Sequence, residues 1–279
     1  MTLRAERSRS GVSWVRGVRL SREHLLGWIT TPISAVALII LWDLALKAFH
    51  VPPYLVPSPS KVWDALSQGV QDGVLVHHTM VTTKEIVVGY AAGSGLGIVL
   101  GIFISQYVTV ERIVYPYVIA LNAVPKVAVA PLMVVWFGVG LASKVIIAAL
   151  VSFFPLLVNV VLGLKSTEAD QLKLMHSLTA SRWQTFYMVQ LRNALPSIFA
   201  GLEVAIVLSV VGAIVGEFVS AQEGLGYYID EMNAMVNTAG MFAALIILSV
   251  LGYTMSKIVR LVARKVVFWR AVDQVVEGP

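Results

Sequence analysis

The sequence predicts an all-α integral membrane protein with about six transmembrane helices, and three observations carry that reading. Hydrophobic residues make up 57% of the 279 residues and charged residues only 13%. Mean hydropathy is strongly positive, beyond what a soluble domain of this length needs. Six apolar stretches, each near the roughly 20 residues that cross a bilayer as a helix, account for most of the chain. The chain has no cysteine, which excludes disulfides, thiol catalysis and cysteine metal sites.

Residues 1–29 carry Arg4, Arg7, Arg9, Arg16, Arg19 and Arg22 and read as a cytoplasmic segment with an interfacial helix. The apolar run after them, Thr31 to Phe49, is too long for a signal peptide and no small-residue cleavage site follows, so it is expected to stay as the first span. It opens a transmembrane domain over residues 30–266. Asp43 and Lys47 stand at i, i+4 and can neutralise one another. The connection after it begins with a proline-rich run, Val51 to Ser60, unsuited to a helix, and Ser60 can cap a short helix from Lys61 to Gly69. His77 and His78 would point about 100° apart on a helix, with no carboxylate at ligand spacing. They read as solvated interface histidines, and no metal site is expected.

The second span, Glu85 to Ser105, places Gly89, Gly93, Gly97 and Gly101 four residues apart on one face. Such a groove lets a second helix approach closely, and from the sequence that helix belongs either to this chain or to a second copy. The third span, Tyr115 to Trp136, contains Asn122, Pro125, Lys126 and Pro131. Each proline removes an amide donor and frees a carbonyl, which membranes tolerate only where protein or water covers the break. An ammonium within a span costs at least ~2.5 kcal/mol unless it is paired or hydrated. Lys126 therefore reads either as part of a water-filled pathway or as an ion pair with Glu217. The fourth span, Lys144 to Leu164, adds Pro155 and Asn159, and the fifth, Ser197 to Ser220, adds Ser209 and Glu217. These six residues, Asn122, Lys126, Pro155, Asn159, Ser209 and Glu217, form a candidate translocation pathway. Glu203 can pair with Arg192 or Arg182. The sixth span is Gly240 to Val262, and residues 267–279 form a cytoplasmic tail.

Between the fourth and fifth spans lies a polar, basic loop, residues 165–196, that reads as two short amphipathic helices joined near Thr179. Thr167 precedes Asp170 by three residues and Ser181 precedes Gln184 by three, the spacing of helix-start capping. Leu172, Met175 and Leu178 recur at helical spacing, as do Trp183, Phe186 and Val189.

The basic residues fix the expected orientation. With the N-terminus inside, Arg112, then Lys165, Lys173, Arg182 and Arg192, then Lys257, Arg260, Arg264, Lys265 and Arg270 share its side. The other side keeps Lys61, Lys84 and Lys144, while Glu223, Asp230 and Glu231 stand there without a neighbouring basic residue. Both termini are expected to be cytoplasmic. The net charge of +5 then follows from membrane topology, and no nucleic-acid partner is implied.

The run Ser177-Leu178-Thr179-Ala180-Ser181-Arg182-Trp183-Gln184-Thr185-Phe186, with Asn193-Ala194-Leu195-Pro196 and Ala200-Gly201-Leu202, resembles the cytoplasmic loop of permease subunits of binding-protein-dependent ABC importers. It is most similar to the nitrate, sulfonate and taurine group. Val124-Pro125-Lys126-Val127-Ala128, Pro131 to Gly140, Phe154-Pro155-Leu156-Leu157-Val158-Asn159, Gly216-Glu217-Phe218-Val219 and Gly224-Leu225-Gly226-Tyr227 resemble the same group. The family loop usually reads Glu-Ala-Ala, three residues, Gly, nine residues, Ile, one residue, Leu-Pro. Here those positions hold Lys173, Leu174, Met175, Thr179, Val189, Gln190, Leu191 and Arg192. A glycine would admit positive φ at the turn, whereas β-branched Thr179 resists it, so a different turn geometry is expected.

The resemblance implies a type I importer permease fold in a bacterial inner membrane, with cytoplasmic coupling helices between spans four and five. Its implied partners are a second permease copy, two ABC ATPase subunits and an extracytoplasmic substrate-binding protein. Lys173, Met175, Leu178, Thr179, Ala180, Ser181, Arg182, Trp183, Phe186 and Arg192 would form the ATPase-coupling surface. No cofactor is expected in this chain, ATP and magnesium being bound by the ATPase. The chain has no Gly-x-x-x-x-Gly-Lys-Ser/Thr run, so it is not expected to be an enzyme. The implied cargo is a small organic solute, an anion such as a sulfonate, taurine or an aromatic carboxylate, or alternatively a vitamin or vitamin precursor such as riboflavin or a thiamine pyrimidine. An ion-coupled secondary transporter is a further reading, for which Glu217 and Glu203 are the carboxylates outside the first span.

Overall fold

The computed structural model describes residues 33–220 and 222–269. The described chain divides between Lys61 and Val62 into two units. In the first, residues 33–48 form helix α1, and Lys47 Nζ meets Asp43 Oδ2 at 2.5 Å, as the i, i+4 spacing requires. The basic segment 1–29 and the tail beyond Trp269 lie outside the described residues.

The second unit holds α2 Pro59–Gln71 in its larger part, α3 Val74–Gln106, α4 Val108–Ala123, α5 Lys126–Phe137, α6 Leu141–Lys165, α7 Ala169–Ser177, α8 Arg182–Thr185, a π-helical segment Phe186–Gln190, α9 Leu191–Ser220, α10 Leu225–Ala234 and α11 Thr238–Val266. Among the described residues, α3, α6, the continuous run Arg182–Ser220 and α11 are each long and apolar enough to cross a membrane. The expected third span is not one straight helix: α4 and α5 form a pair bent by 93°. Pro125 is the cause. It forces the preceding Val124 out of the helical region to φ −65°, ψ 128°, and α5 restarts at Lys126.

α6 is the centre of the unit, packed against α3 on one side and α9 on the other. The glycine row decides how close α3 comes. A Cβ on Gly89 would lie 2.5 Å from Ala148 Cβ, one on Gly101 2.7 Å from Val160 Cγ1, one on Gly97 3.1 Å from Phe153 O, and one on Gly93 would collide with Ala149 O and Ser152 Oγ. The groove is therefore filled by α6 of the same chain, which resolves the choice between an internal and an intersubunit contact. Gly201 and Gly212 give α9 the same close approach, at Asn159 and Ala148.

Leu156, Val160, Leu164, Phe186, Ala194 and Ile198 form the apolar core at the end that carries the 165–196 loop. Leu75, Leu225, Tyr228, Ile229 and Met232 form the core at the opposite end, where α10 lies. Two helices of this unit end on non-glycine residues at positive φ. α7 closes in a Schellman turn, with Ala180 N–H donating to Met175 O and Thr179 N–H to His176 O, and Thr179 takes φ +53°. α10 closes the same way through Val236 at φ +56°. The expectation that Thr179 resists positive φ is thus overturned: the two carbonyls satisfied by the turn outweigh the β-branch penalty, and Thr179 Oγ1 donates to Leu178 O at 2.7 Å.

Candidate functional site: the loop end and the buried polar cluster

Ser181 and Gln184 form the expected capping box, with Gln184 N–H donating to Ser181 Oγ at 3.2 Å and Ser181 N–H to Gln184 Oε1 at 2.8 Å. The expected cap at Thr167 is not formed. Glu168 occupies the N-cap of α7, and Thr167 Oγ1 turns back to donate to Leu164 O, because that carbonyl is left free where α6 ends. The second loop helix is not separate from the fifth span; it continues through the π segment into α9 as one run of 39 residues.

That continuity separates residues the helical spacing had grouped. Phe186 is 6% exposed and belongs to the core with Leu156, Val160 and Ala194, so it is not a surface anchor. Trp183 is 71% exposed and stacks on Phe186 from outside, ring centroids 5.5 Å apart. Leu174 on α7 and Leu178 at its C-cap, four residues apart, are also exposed, as are Tyr187 and Met188. Lys173 pairs with Asp170 at 2.8 Å and both point outward. Asn193 Nδ2 donates to Gln171 Oε1 at 2.6 Å, tying α7 to α9. Between them a cavity of about 600 Å³ is lined by Leu174, Met175, Met188, Arg192, Phe268 and Trp269. Leu174, Tyr187 and Met188 were not singled out in the sequence, and their signal is exposure of apolar groups on a polar loop.

The six candidate pathway residues do not converge. Asn122 and Lys126 stand together at the α4–α5 break, where Lys126 Nζ donates to Asn122 O and, at 2.8 Å, to Asn122 Oδ1, and lies 5.2 Å from the Phe154 ring centre. Lys126 does not pair with Glu217. Its ammonium instead satisfies a carbonyl freed where α4 stops. Pro155 and Asn159 lie on the face of α6 toward α9: Asn159 Nδ2 donates to Pro155 O at 2.8 Å, and Ser197 Oγ to Asn159 O at 3.0 Å. Ser209 is buried and donates to Ile86 O at 3.1 Å. Glu203 accepts from Arg260 and Ser256, not from Arg192 or Arg182, because α11 packs beside α9 there.

Glu217 belongs to a buried cluster at the α10 end. Its Oε1 accepts from Thr82 Oγ1 at 2.6 Å and its Oε2 from Gly226 N–H at 2.5 Å. Leu225 N–H donates to Thr82 Oγ1 at 2.8 Å and Gly224 N–H to His78 Nδ1 at 3.0 Å. The first amides of α10 are thereby capped by α3 and α9. A Cβ at Gly224, whose φ is +117°, would collide with the Glu217 carboxylate, and one at Gly226 would come within 2.8 Å of Glu217 Cβ. Beside them Lys144 pairs with Glu85, both buried. His78 is thus a buried acceptor and not a solvated residue; His77 is exposed and lies 3.4 Å from Glu223. Burial and, secondarily, Glu231 push the Tyr228 hydroxyl of α10 above its ordinary range.

A bundle of long apolar helices with a broken pair and an aromatic-rich polar loop at one end defines a multi-pass helical membrane protein. Residues 93–268 match the family described as "Binding-protein-dependent transport system inner membrane component", and the chain belongs to that family. It is 37% identical over 215 residues to the formylaminopyrimidine transport permease protein ThiX of Halalkalibacterium halodurans, covering 77% of this chain and 85% of that one. It is 32% identical over 240 residues to the riboflavin transport system permease protein RibX of Chloroflexus aurantiacus (86% and 90%), and 28% identical over 240 residues to the taurine transport system permease protein TauC of Escherichia coli (84% and 87%). The fold is shared with a chain of the inward-facing MetNI methionine ABC transporter, at 19% identity and a TM-score of 0.60, over 68% of this chain and 94% of that one. The protein is a multi-pass inner-membrane permease subunit of an ABC importer.

Proposed function

We propose that two copies of this chain form the translocation pathway of the importer, that both termini face the cytoplasm, and that two ATPase subunits, which bind ATP and magnesium, dock on the loop end while a substrate-binding protein delivers cargo at the α10 end. The observation that carries this reading is the exposed apolar surface of α7 and the π segment, held in place by the Schellman turn, the capping box and the Asn193–Gln171 bond. A surface of Leu174, Leu178, Tyr187 and Met188 with Lys173 and Arg192 at its edge has the composition of an interface core with a charged rim. Thr179, Ala180 and Ser181 shape that surface, and Met175 lines the cavity behind it. The continuous run Arg182–Ser220 then transmits movement of the loop to the core of the bundle.

Replacing Leu174 and Leu178 by alanine is expected to weaken ATPase attachment by ~2 kcal/mol or more, while folded yield stays at wild type. Phe186→Ala is expected to do the reverse, lowering folded yield by removing a core ring at a cost of ~3–5 kcal/mol. Co-purification of the ATPase and ATP hydrolysis stimulated by the binding protein read both effects. Unchanged attachment in the Leu174/Leu178 variant would overturn the docking surface.

Of the candidate pathway residues, Asn122 is exposed and Lys126 half-buried at the α4–α5 break, and we assign the pathway to their side of it. A cysteine at 126, in a chain with no other cysteine, is expected to react with a small water-soluble thiol reagent at a rate that changes when ATP and binding protein are added. A complex that transports while this cysteine stays inert in every nucleotide state would remove Lys126 from the route. The ammonium favours an organic anion such as a sulfonate, taurine or an aromatic carboxylate. The formylaminopyrimidine and riboflavin permeases, at 37% and 32% identity, favour a vitamin or vitamin precursor. Measuring which of these classes the partnering binding protein retains decides between them.

A further inference from the structure

At the loop end, the last turns of α3 and the first turn of α8 enclose a second cavity, of about 400 Å³, walled by Val99, Ile102, Phe103, Tyr107, Trp183 and Phe186, with Arg182 and Gln106 as its polar groups. Its apolar wall is not an isolated patch. It continues the face of α3 opposite the glycine row, where Leu96, Val99, Leu100 and Phe103 are all exposed. Because the glycine face is filled by α6, this opposite face is the one α3 turns outward, and we assign acyl chains to it.

The rim of the cavity has a different composition from its wall. Tyr107 and Trp183 are both more than half exposed, and amphipathic rings of this kind collect at the level of lipid headgroups. Arg182 is exposed, and among the described residues no carboxylate pairs with it. Helix stability does not account for it either. A cation on the first turn of a 39-residue helical run opposes the helix dipole, where an acidic residue would be favoured. Gln106 is already engaged, donating to Gln190 Oε1 at 3.3 Å, which leaves the guanidinium as the charged group of the cavity with no partner among the described residues.

An apolar slot that opens onto the lipid-facing side of a helix, rimmed by aromatic rings and closed by an unpaired guanidinium, fits one class of ligand. We propose that it binds an anionic phospholipid of the leaflet on the loop side, with the phosphate on Arg182 and an acyl chain along Val99, Ile102 and Phe103. Basic pockets between helices at the cytoplasmic surface take such headgroups, and the fork of the guanidinium matches phosphate oxygens. A lipid seated there fills the space between α3 and α8 and so supports the angle at which the loop leaves the bundle. The proposal rests on the reading of the loop end as cytoplasmic, and it separates the flank of α8 that faces α3 from the α7 surface assigned to the ATPase.

The test uses the permease purified with its ATPase in mild detergent, with dioleoylphosphatidylglycerol and dioleoylphosphatidylcholine as probes and lipid retention read on the permease chain by native mass spectrometry. The wild-type chain is expected to retain phosphatidylglycerol about fivefold better than phosphatidylcholine, the factor one basic residue contributes near a bilayer surface. Arg182→Ala is expected to abolish that preference, and Arg182→Lys to keep most of it. Equal retention of the two lipids by the wild type, or a preference that survives Arg182→Ala, would overturn the proposal. If Arg182→Ala releases the ATPase while the lipid preference survives, the guanidinium faces the ATPase; the lipid site then falls and the importer reading stands.

Discussion

Lys144→Met is expected to abolish recovery of folded, monodisperse protein. Lys144 and Glu85 form an ion pair in which the two side chains are 6% and 0% exposed, and among the described residues neither oxygen of Glu85 has a hydrogen-bond donor beyond that ion pair. Removing one partner of such a pair strands a buried charge and costs ~3–5 kcal/mol, a large share of the ~5–15 kcal/mol that holds a typical domain folded. The cost is raised here by Glu217, buried in the same cluster, so the substitution leaves two carboxylates together with no ammonium. Adding Glu85→Gln to Lys144→Met should recover much of the loss, because an amide can be buried without a counter-charge. Yield by size-exclusion chromatography and thermal unfolding of the single and double variants provide the measurement. Equal damage in both would show that the stranded charge of Glu85 is not what makes Lys144→Met costly.

Why this cluster was illegible in the sequence, while the bundle around it was legible, follows from distance along the chain. Apolar runs, the four-residue glycine spacing and the Ser181–Gln184 box are local patterns whose physics is complete within one helix or turn. Glu217 was visible as a polar residue in an apolar span, but its partner Thr82 is 135 residues away, and nothing in the spacing points from one to the other. A pair of Lys126 with Glu217 is one of the two readings the sequence leaves open, as two isolated opposite charges. The helix break at Pro125 instead gave Lys126 a nearer acceptor in Asn122, and Glu217 found amide and hydroxyl donors. The glycines at 224 and 226 carried a usable signal, since both are needed to admit the Glu217 side chain.

The loop shows a second kind of limit. Helical spacing puts Trp183 and Phe186 on one face, and their rings do stack there, yet Phe186 enters the core while Trp183 stays on the surface above it. The spacing gives the shared face and not the depth to which each ring is buried. The intrinsic preference of Thr179, taken alone, disfavours positive φ. In the folded chain two carbonyls at the end of α7 need donors, and satisfying them is worth more than the strain of one β-branched residue at positive φ. The family's glycine at this position is therefore replaceable without loss of the turn.

Gly93→Leu is expected to lower folded yield as severely as any substitution in the chain, and Gly93→Ala already to lower it measurably. A single methyl at this position meets the carbonyl oxygen of Ala149 and the hydroxyl of Ser152, and both are fixed: one is helix backbone, and the other donates to Ala148 O at 2.9 Å. Extra methylenes in a packed core cost ~1–3 kcal/mol even where neighbours can shift, and here α3 and α6 must separate along the whole row because Gly89, Gly97 and Gly101 share the contact. Separation of these two helices opens the centre of the bundle, since α6 also carries α9. Gly95 supplies the internal control. It sits on the same helix two residues away, a Cβ there meets nothing within 4 Å, and Gly95→Ala should leave yield unchanged or improve it slightly through the better helix propensity of alanine. Recovery of monodisperse protein from the three variants, compared in one detergent, separates close packing from a general intolerance of the helix to substitution. Wild-type yield from Gly93→Leu would mean that α3 does not meet α6 along this face.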